Sequence, residues 1–110
     1  MNNIQSTPAF TSTIIPNQAM KNMGKFVDQL NSCFEVKGIV GSAQKVRNSI
    51  NLGQAGVTPS KEGFIVVGKD KSADNFIFRR LKEIDKNVKY IDDAPEMKSD
   101  ASTIDFSILA

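Results

Sequence analysis

The stretch Gly63–Asp93, GFIVVGKDKSADNFIFRRLKEIDKNVKYIDD, carries the clearest folding signal in the chain. A short apolar run, Phe64–Val67, is closed by Gly68 and is typical of a buried strand. Apolar residues then recur at helical spacing from Ser72 to Lys86, and a second strand-like run, Val88–Ile91, follows. This order of strand, helix and strand predicts a β-α-β unit at the centre of the fold.

The residues before this unit predict two more helices. Asn17 is a suitable N-cap for the first one, whose apolar stripe consists of Met20, Met23, Val27, Leu30 and Phe34. Ser42 is a suitable N-cap for a short second helix. The segment Leu52–Glu62 predicts a loop, because glycines and a proline interrupt any regular pattern there.

The two ends of the chain predict further strands. Apolar and polar residues alternate over Thr103–Leu109, as in a strand with one buried face. Thr11–Ile15 is a candidate edge strand within an uncharged N-terminal arm, residues 1–16. Residues 17–110 are predicted to form a single compact α+β domain. Its fold is three helices packed on a small mixed sheet around the β-α-β unit.

Composition indicates an ordinary soluble protein. The 110 residues carry a net charge of +2, with five basic and two acidic residues in the first half. Cys33 is the only cysteine, so no disulfide can form within the chain, and a lone thiol fits a reducing compartment. No apolar run is long enough to span a membrane. These features predict a cytoplasmic protein with no membrane partner and no cofactor.

The absence of histidine argues against most enzyme classes. Histidine is the commonest general base, and it activates nucleophilic serine and cysteine residues. The run Gly63–Lys69 matches part of a phosphate-binding loop, but its middle residues are apolar strand formers. Asp70 also stands where that loop needs a serine or threonine for Mg²⁺. The sequence therefore favours a non-catalytic protein.

A binding module that acts through protein–protein contacts is the leading functional hypothesis. The uncharged N-terminal arm is suited to strand addition, and some apolar side chains exceed what a small core needs. The candidate contact residues are Phe10, Ile14, Ile15 and Phe78. The expected partner is another protein or a second copy of the chain.

Nucleic-acid binding is an alternative hypothesis. The tetrapeptide Gly38-Ile39-Val40-Gly41 resembles a backbone-clamping G-x-x-G loop, although its middle residues are apolar. Basic side chains nearby and on the third helix are candidates for phosphate contacts: Lys37, Lys45, Arg47, Arg79, Lys82 and Lys86.

A second alternative is a Mg²⁺-dependent phosphoryl-transfer or hydrolytic enzyme. If the two strands of the β-α-β unit are parallel neighbours, Asp70, Asp92 and Asp93 open onto one edge of the sheet. Three carboxylates there offer the oxygen ligands that Mg²⁺ prefers. The simpler interpretation is that these aspartates begin turns and cap helices.

Overall fold

In the described part of the chain, five strands form one antiparallel sheet with the order β4-β1-β3-β2-β5. The computed structural model describes residues 11–32, 41–92, 96–97 and 100–109. The strands are β1 (Ser12–Pro16), β2 (Gln54–Pro59), β3 (Gly63–Val67), β4 (Lys89–Ile91) and β5 (Ser102–Asp105). The α+β class predicted from the sequence is confirmed.

Three α-helices lie in the described part of the chain: α1 (Lys25–Ser32), α2 (Ala43–Ser49) and α3 (Lys71–Ile84). The first predicted helix is divided, because a 3-10 helix covers Asn17–Asn22 and Gly24 turns the chain with a φ of +55°. A second 3-10 helix covers Phe106–Leu109. None of the helices in the described ranges has the length and apolarity that crossing a lipid bilayer requires.

Side-chain caps fix where two of the helices begin. Ser42 Oγ accepts a hydrogen bond from the Lys45 N–H at 3.3 Å, which confirms the predicted start of α2. Asp70 Oδ1 accepts from the Ala73 N–H at 2.9 Å, so α3 begins just before the predicted Ser72.

The predicted β-α-β unit is present, but its two strands are not adjacent in the sheet. Strands β3 and β4 are both antiparallel to β1, and therefore run in the same direction as each other. They are not neighbours, because Thr13 of β1 pairs with Val66 on one side and with Tyr90 on the other. The prediction of a mixed sheet was wrong for this reason: a strand from the start of the sequence separates the two parallel strands.

Strand β1 is an inner strand and not the edge strand that the sequence suggested. Its β-branched residues fit a position between two partners, and Ile15 is completely buried. The segment predicted as an arm therefore includes a central part of the sheet.

Two other predictions of strand position need correction. The expected loop Leu52–Glu62 contains β2, in which Gly56 allows close packing of α2: a Cβ atom there would lie 2.2 Å from Val46 Cγ1. The C-terminal strand ends at Asp105, whose Oδ1 accepts from the Ser107 N–H at 2.9 Å and starts the 3-10 helix. That strand pairs with β2.

Helices cover both faces of the sheet. One face packs against α1 and α3, and the core there includes Phe26, Leu30, Ile77 and Leu81. The other face packs against α2 in a smaller cluster formed by Ala43, Val46, Ile50, Val67, Met97 and Ala101. This arrangement brings the ends of α2, β2, β3 and α3 to the same end of the sheet.

Candidate functional site

The candidate protein-contact residues do not form one surface. Ile15 is buried in the core and cannot contact a partner. Ile14 is half-buried and, as the next residue of β1, points to the opposite face of the sheet. Phe78 is also half-buried and packs against Tyr90 with ring centroids 5.1 Å apart. Phe10 lies outside the described residues.

The basic residues proposed for nucleic-acid contact are also dispersed. Lys45 lies on α2, whereas Arg79, Lys82 and Lys86 lie on or just beyond α3, on the opposite face of the sheet. Lys82 Nζ donates to the Lys86 carbonyl at 2.8 Å. Lys37 lies outside the described residues.

Arg47 was wrongly proposed as a phosphate contact. Its side chain is only 5% exposed, and its Nη2 lies 2.8 Å from Asp74 Oδ2. Its Nη1 donates to the Gly68 carbonyl at 2.8 Å. The guanidinium is thus engaged by buried protein groups and is not the exposed phosphate contact that the sequence suggested.

The three aspartates proposed for Mg²⁺ do not meet in the described structure. Asp70 caps α3, and Asp92 follows β4. Because β1 lies between β3 and β4, these two ends are two strand spacings apart, about 10 Å. Asp93 lies outside the described residues. The described residues contain no group of three acidic, histidine or cysteine side chains that could hold a metal ion.

Arg47 and Asp74 form the centre of a buried polar network. Besides Arg47, Asp74 accepts hydrogen bonds from the Gly68 N–H at 2.6 Å and from the Thr11 hydroxyl. Arg47 also donates to the Thr11 carbonyl. A cleft of about 270 Å³ with Lys69 and other polar residues on its walls opens above this network.

The network connects α2, α3 and the start of β1. Its hydrogen bonds and ion pair give both buried charges partners, which is a sufficient structural reason for their burial. The sequence suggested Arg47 as a phosphate contact, and nothing in it linked that residue to Asp74. The two residues lie in different helices, and no local pattern marks them as partners.

Leu52 is the most conspicuous apolar side chain on the described surface, with 93% of its area exposed. It stands at the tip of the turn between α2 and β2. The Gln54 N–H donates to the Asn51 carbonyl at 3.1 Å, and Gly53 has a φ of +85°. Positive φ at the third residue is the signature of a type II turn, which holds its second residue, Leu52, away from the protein.

A cleft of about 240 Å³ lies directly beside Leu52. Two half-buried aromatic residues contribute to its wall, Phe76 from α3 and Phe106 from the C-terminal 3-10 helix, with ring centroids 5.9 Å apart. Lys69 and Asp70 are exposed and are the only charged residues among the described ones that line this cleft, so their charges cancel. We call Leu52, Phe76, Phe106, Lys69 and Asp70 the Leu52 surface.

Sequence reasoning missed the Leu52 surface. Leu52 was the first residue of a predicted loop, Phe76 lay in the predicted third helix and Phe106 in the predicted C-terminal strand. An Asn-Leu-Gly sequence after a helix was the one available signal, since it permits a type II turn with leucine at its tip.

Strand addition requires an edge strand with free backbone groups, and β5 is an edge strand of this sheet. The Phe106 N–H donates to the Gly53 carbonyl and therefore points towards β2. Backbone groups of successive strand residues point to opposite sides, so the N–H and carbonyl of Asp105 point away from β2. Gln29 of α1 occupies that outer side: its Oε1 accepts from the Asp105 N–H at 2.6 Å, and its Nε2 donates to the Asp105 carbonyl at 3.0 Å. A side chain thus takes the place of an adjacent strand at this point on β5.

Two carboxyl groups among the described residues have a pKa below the ordinary value. The backbone N–H of Asn87 and the side-chain amide of Asn22 donate to Asp85, and together they hold the pKa of its carboxyl below the ordinary value. The hydroxyl and backbone N–H of Ser107 likewise lower the pKa of Asp105. In each case the cause is hydrogen bonding to neighbouring protein groups, which indicates a structural role.

No protein-family model matches this sequence, and no curated protein or solved structure is significantly similar to it.

Proposed function

We propose that this protein is a non-catalytic binding module that contacts another polypeptide through the Leu52 surface. The observation that carries the proposal is the position of Leu52, almost fully exposed at the rim of a cleft with aromatic walls. Single exposed leucines are common, but a leucine beside a cleft with two half-buried phenylalanines forms a larger apolar patch. Such patches with a polar rim are typical of protein contact sites.

The chemistry of the Leu52 surface supports binding and not catalysis. Its charged members are one lysine and one aspartate, and the carboxylate of Asp70 is already engaged in capping α3. Phe76 and Phe106 supply the large apolar contact area that commonly dominates binding energy at interfaces. A partner that places an apolar side chain in the cleft would remove these rings from water.

Photocrosslinking from position 52 tests the proposal directly. A photoactivatable amino acid is incorporated in place of Leu52, and in a second variant in place of Lys61, an exposed residue at the opposite end of β2. Irradiation in an extract of the source cells should give a discrete crosslinked product from position 52 and none from position 61.

The Phe106→Ala change provides the second arm of this experiment. It removes one wall of the cleft and should reduce the yield of the position-52 product. Equal products from positions 52 and 61, or no product at position 52, would contradict the proposal. Circular dichroism confirms that each variant remains folded.

A further inference from the structure

We infer that the polypeptide that binds the Leu52 surface is a second copy of this chain, related to the first by a two-fold axis. The inference rests on the proposed function and names its partner.

The first argument is the position of a projecting side chain beside a recess. Leu52 projects from the protein, and the cleft that would receive such a side chain lies directly next to it. A two-fold axis through this point places Leu52 of each copy over the cleft of the other, so the same patch serves both partners. Apolar cavities of about 150 Å³ can hold a benzene ring, so a cleft of about 240 Å³ admits a leucine side chain.

The second argument is charge complementarity. Lys69 and Asp70 are adjacent in sequence, exposed and on the rim of the same cleft. Across a two-fold axis, Lys69 of one copy faces Asp70 of the partner subunit, and the reverse pair forms on the other side. The charged lining residues sum to zero, so two copies of this surface do not repel each other.

A second apolar site offers a contrast and a control. Ile84, at the other end of α3, is 40% exposed and lines a cleft that also contains Lys21, Lys86 and Asp85. The excess of lysine there opposes contact between two copies. The 14 residues of α3 separate Ile84 from the Leu52 surface by about 20 Å.

Sedimentation equilibrium of the purified full chain tests the inference. The Leu52 surface consists of five residues, whereas a standard interface has about 20–30 on each side. We therefore expect a weak dimer with a dissociation constant between about 10 μM and about 1 mM. Leu52→Asp should raise that constant at least about tenfold, because each substitution acts twice in a symmetric dimer. Ile84→Asp is the matched control and should leave it unchanged. A monomer at all concentrations, or equal weakening by both variants, would overturn the inference.

A charge-exchange experiment tests the two-fold axis itself. Lys69→Glu and Asp70→Lys should each weaken self-association, because each places like charges opposite one another. An equimolar mixture of the two variants should associate more tightly than either alone, since both rim pairs are then again of opposite sign. Circular dichroism verifies that Asp70→Lys, which also removes the α3 cap, remains folded. If the mixture associates no better than its components, the two-fold arrangement is wrong.

The two proposals fail in different ways. If the purified chain is monomeric while position 52 crosslinks a different protein in extract, the dimer is wrong and the binding function stands. If position 52 gives no product and the chain is monomeric, both are wrong.

Discussion

The carboxylate of Asp74 lies 2.8 Å from the guanidinium of Arg47, and neither side chain is more than 5% exposed. Asp74→Ala leaves this cation buried without its counter-ion and should lower the free energy of unfolding by about 3–5 kcal/mol. The double variant Arg47→Met/Asp74→Leu should be more stable than Asp74→Ala alone, because it leaves no uncompensated charge inside. Urea denaturation measures both values. A double variant that is less stable than the single one would contradict this account of the pair.

The neighbouring isoleucines of β1 should differ sharply in their contributions to stability. Ile15→Ala opens a cavity in the core and should lower the free energy of unfolding by about 2–5 kcal/mol. Ile14→Ala, at the half-buried neighbour on the other face, should cost less than half as much. Thermal and urea unfolding of the two variants give the comparison, and equal losses would contradict the observed orientation of β1.

Gly63 is required by the close approach of β1 and not only by its own backbone angle. A Cβ atom at this position would lie 1.9 Å from the Ile15 carbonyl oxygen, and the φ of Gly63 is +151°. Gly63→Ala should therefore lower the free energy of unfolding by about 3 kcal/mol or more. Gly24→Ala is the control, because Gly24 has a φ of +55° but no heavy atom beyond its chain neighbours lies within 4 Å of the added methyl group. It should cost only about 1 kcal/mol.

Gln29 should protect the outer edge of β5. Gln29→Ala removes both hydrogen bonds to the Asp105 backbone and should make the Asp105 amide exchange with solvent at least about tenfold faster, if the two bonds contribute about 1.4 kcal/mol together. Hydrogen exchange followed by NMR measures this rate. Gln44→Ala removes a comparable exposed amide, which bonds Asn48 within α2, and should leave the exchange of Asp105 unchanged.

Asp85 should contribute to the loss of stability in acid. Because its hydrogen bonds lower the pKa in the folded state, the ionised carboxyl stabilises the fold above the unfolded-state pKa of about 3.9. That contribution disappears as the pH falls through the lower folded-state pKa. The stability difference between the native protein and Asp85→Ala should therefore be largest near neutral pH and shrink below about pH 4. Urea denaturation across this range measures it, and a difference independent of pH would contradict the assignment.

Patterns within a few residues correctly predicted the helices and strands whose formation depends on caps or on short apolar runs. Ser42 begins α2 because its hydroxyl caps the helix, and the apolar run at Phe64–Val67 forms β3. Strand β2 escaped prediction because Gly56, read as a loop residue, instead allows the packing of Val46. The central position of β1 depends on pairing with two distant strands, which no window along the sequence contains.

The candidate site was less predictable than the fold. Exposure of Leu52 follows from a four-residue turn, but the cleft beside it needs Phe76 and Phe106 to meet from distant parts of the chain. The buried pair of Arg47 and Asp74 likewise consists of residues that are distant in the sequence. Charge suggested that Arg47 was a surface contact for phosphate, whereas the packing of α2 and α3 on the sheet brings its side chain against Asp74.

The central position of β1 has a consequence during synthesis. Ser12 pairs with Ile91, so β1 has both partners only after the 75 residues from Asn17 to Ile91 have been made. At about 5–20 residues per second, translation of that segment takes about 4–15 s. Until β3 has been made, β1 has no partner, and until Ile91 has been made, one of its edges stays unpaired. An unpaired strand edge on a nascent chain is a site for chaperone binding and for aggregation. Of the described strands, the first to be made thus gains its second partner only after β2 and β3 have been made.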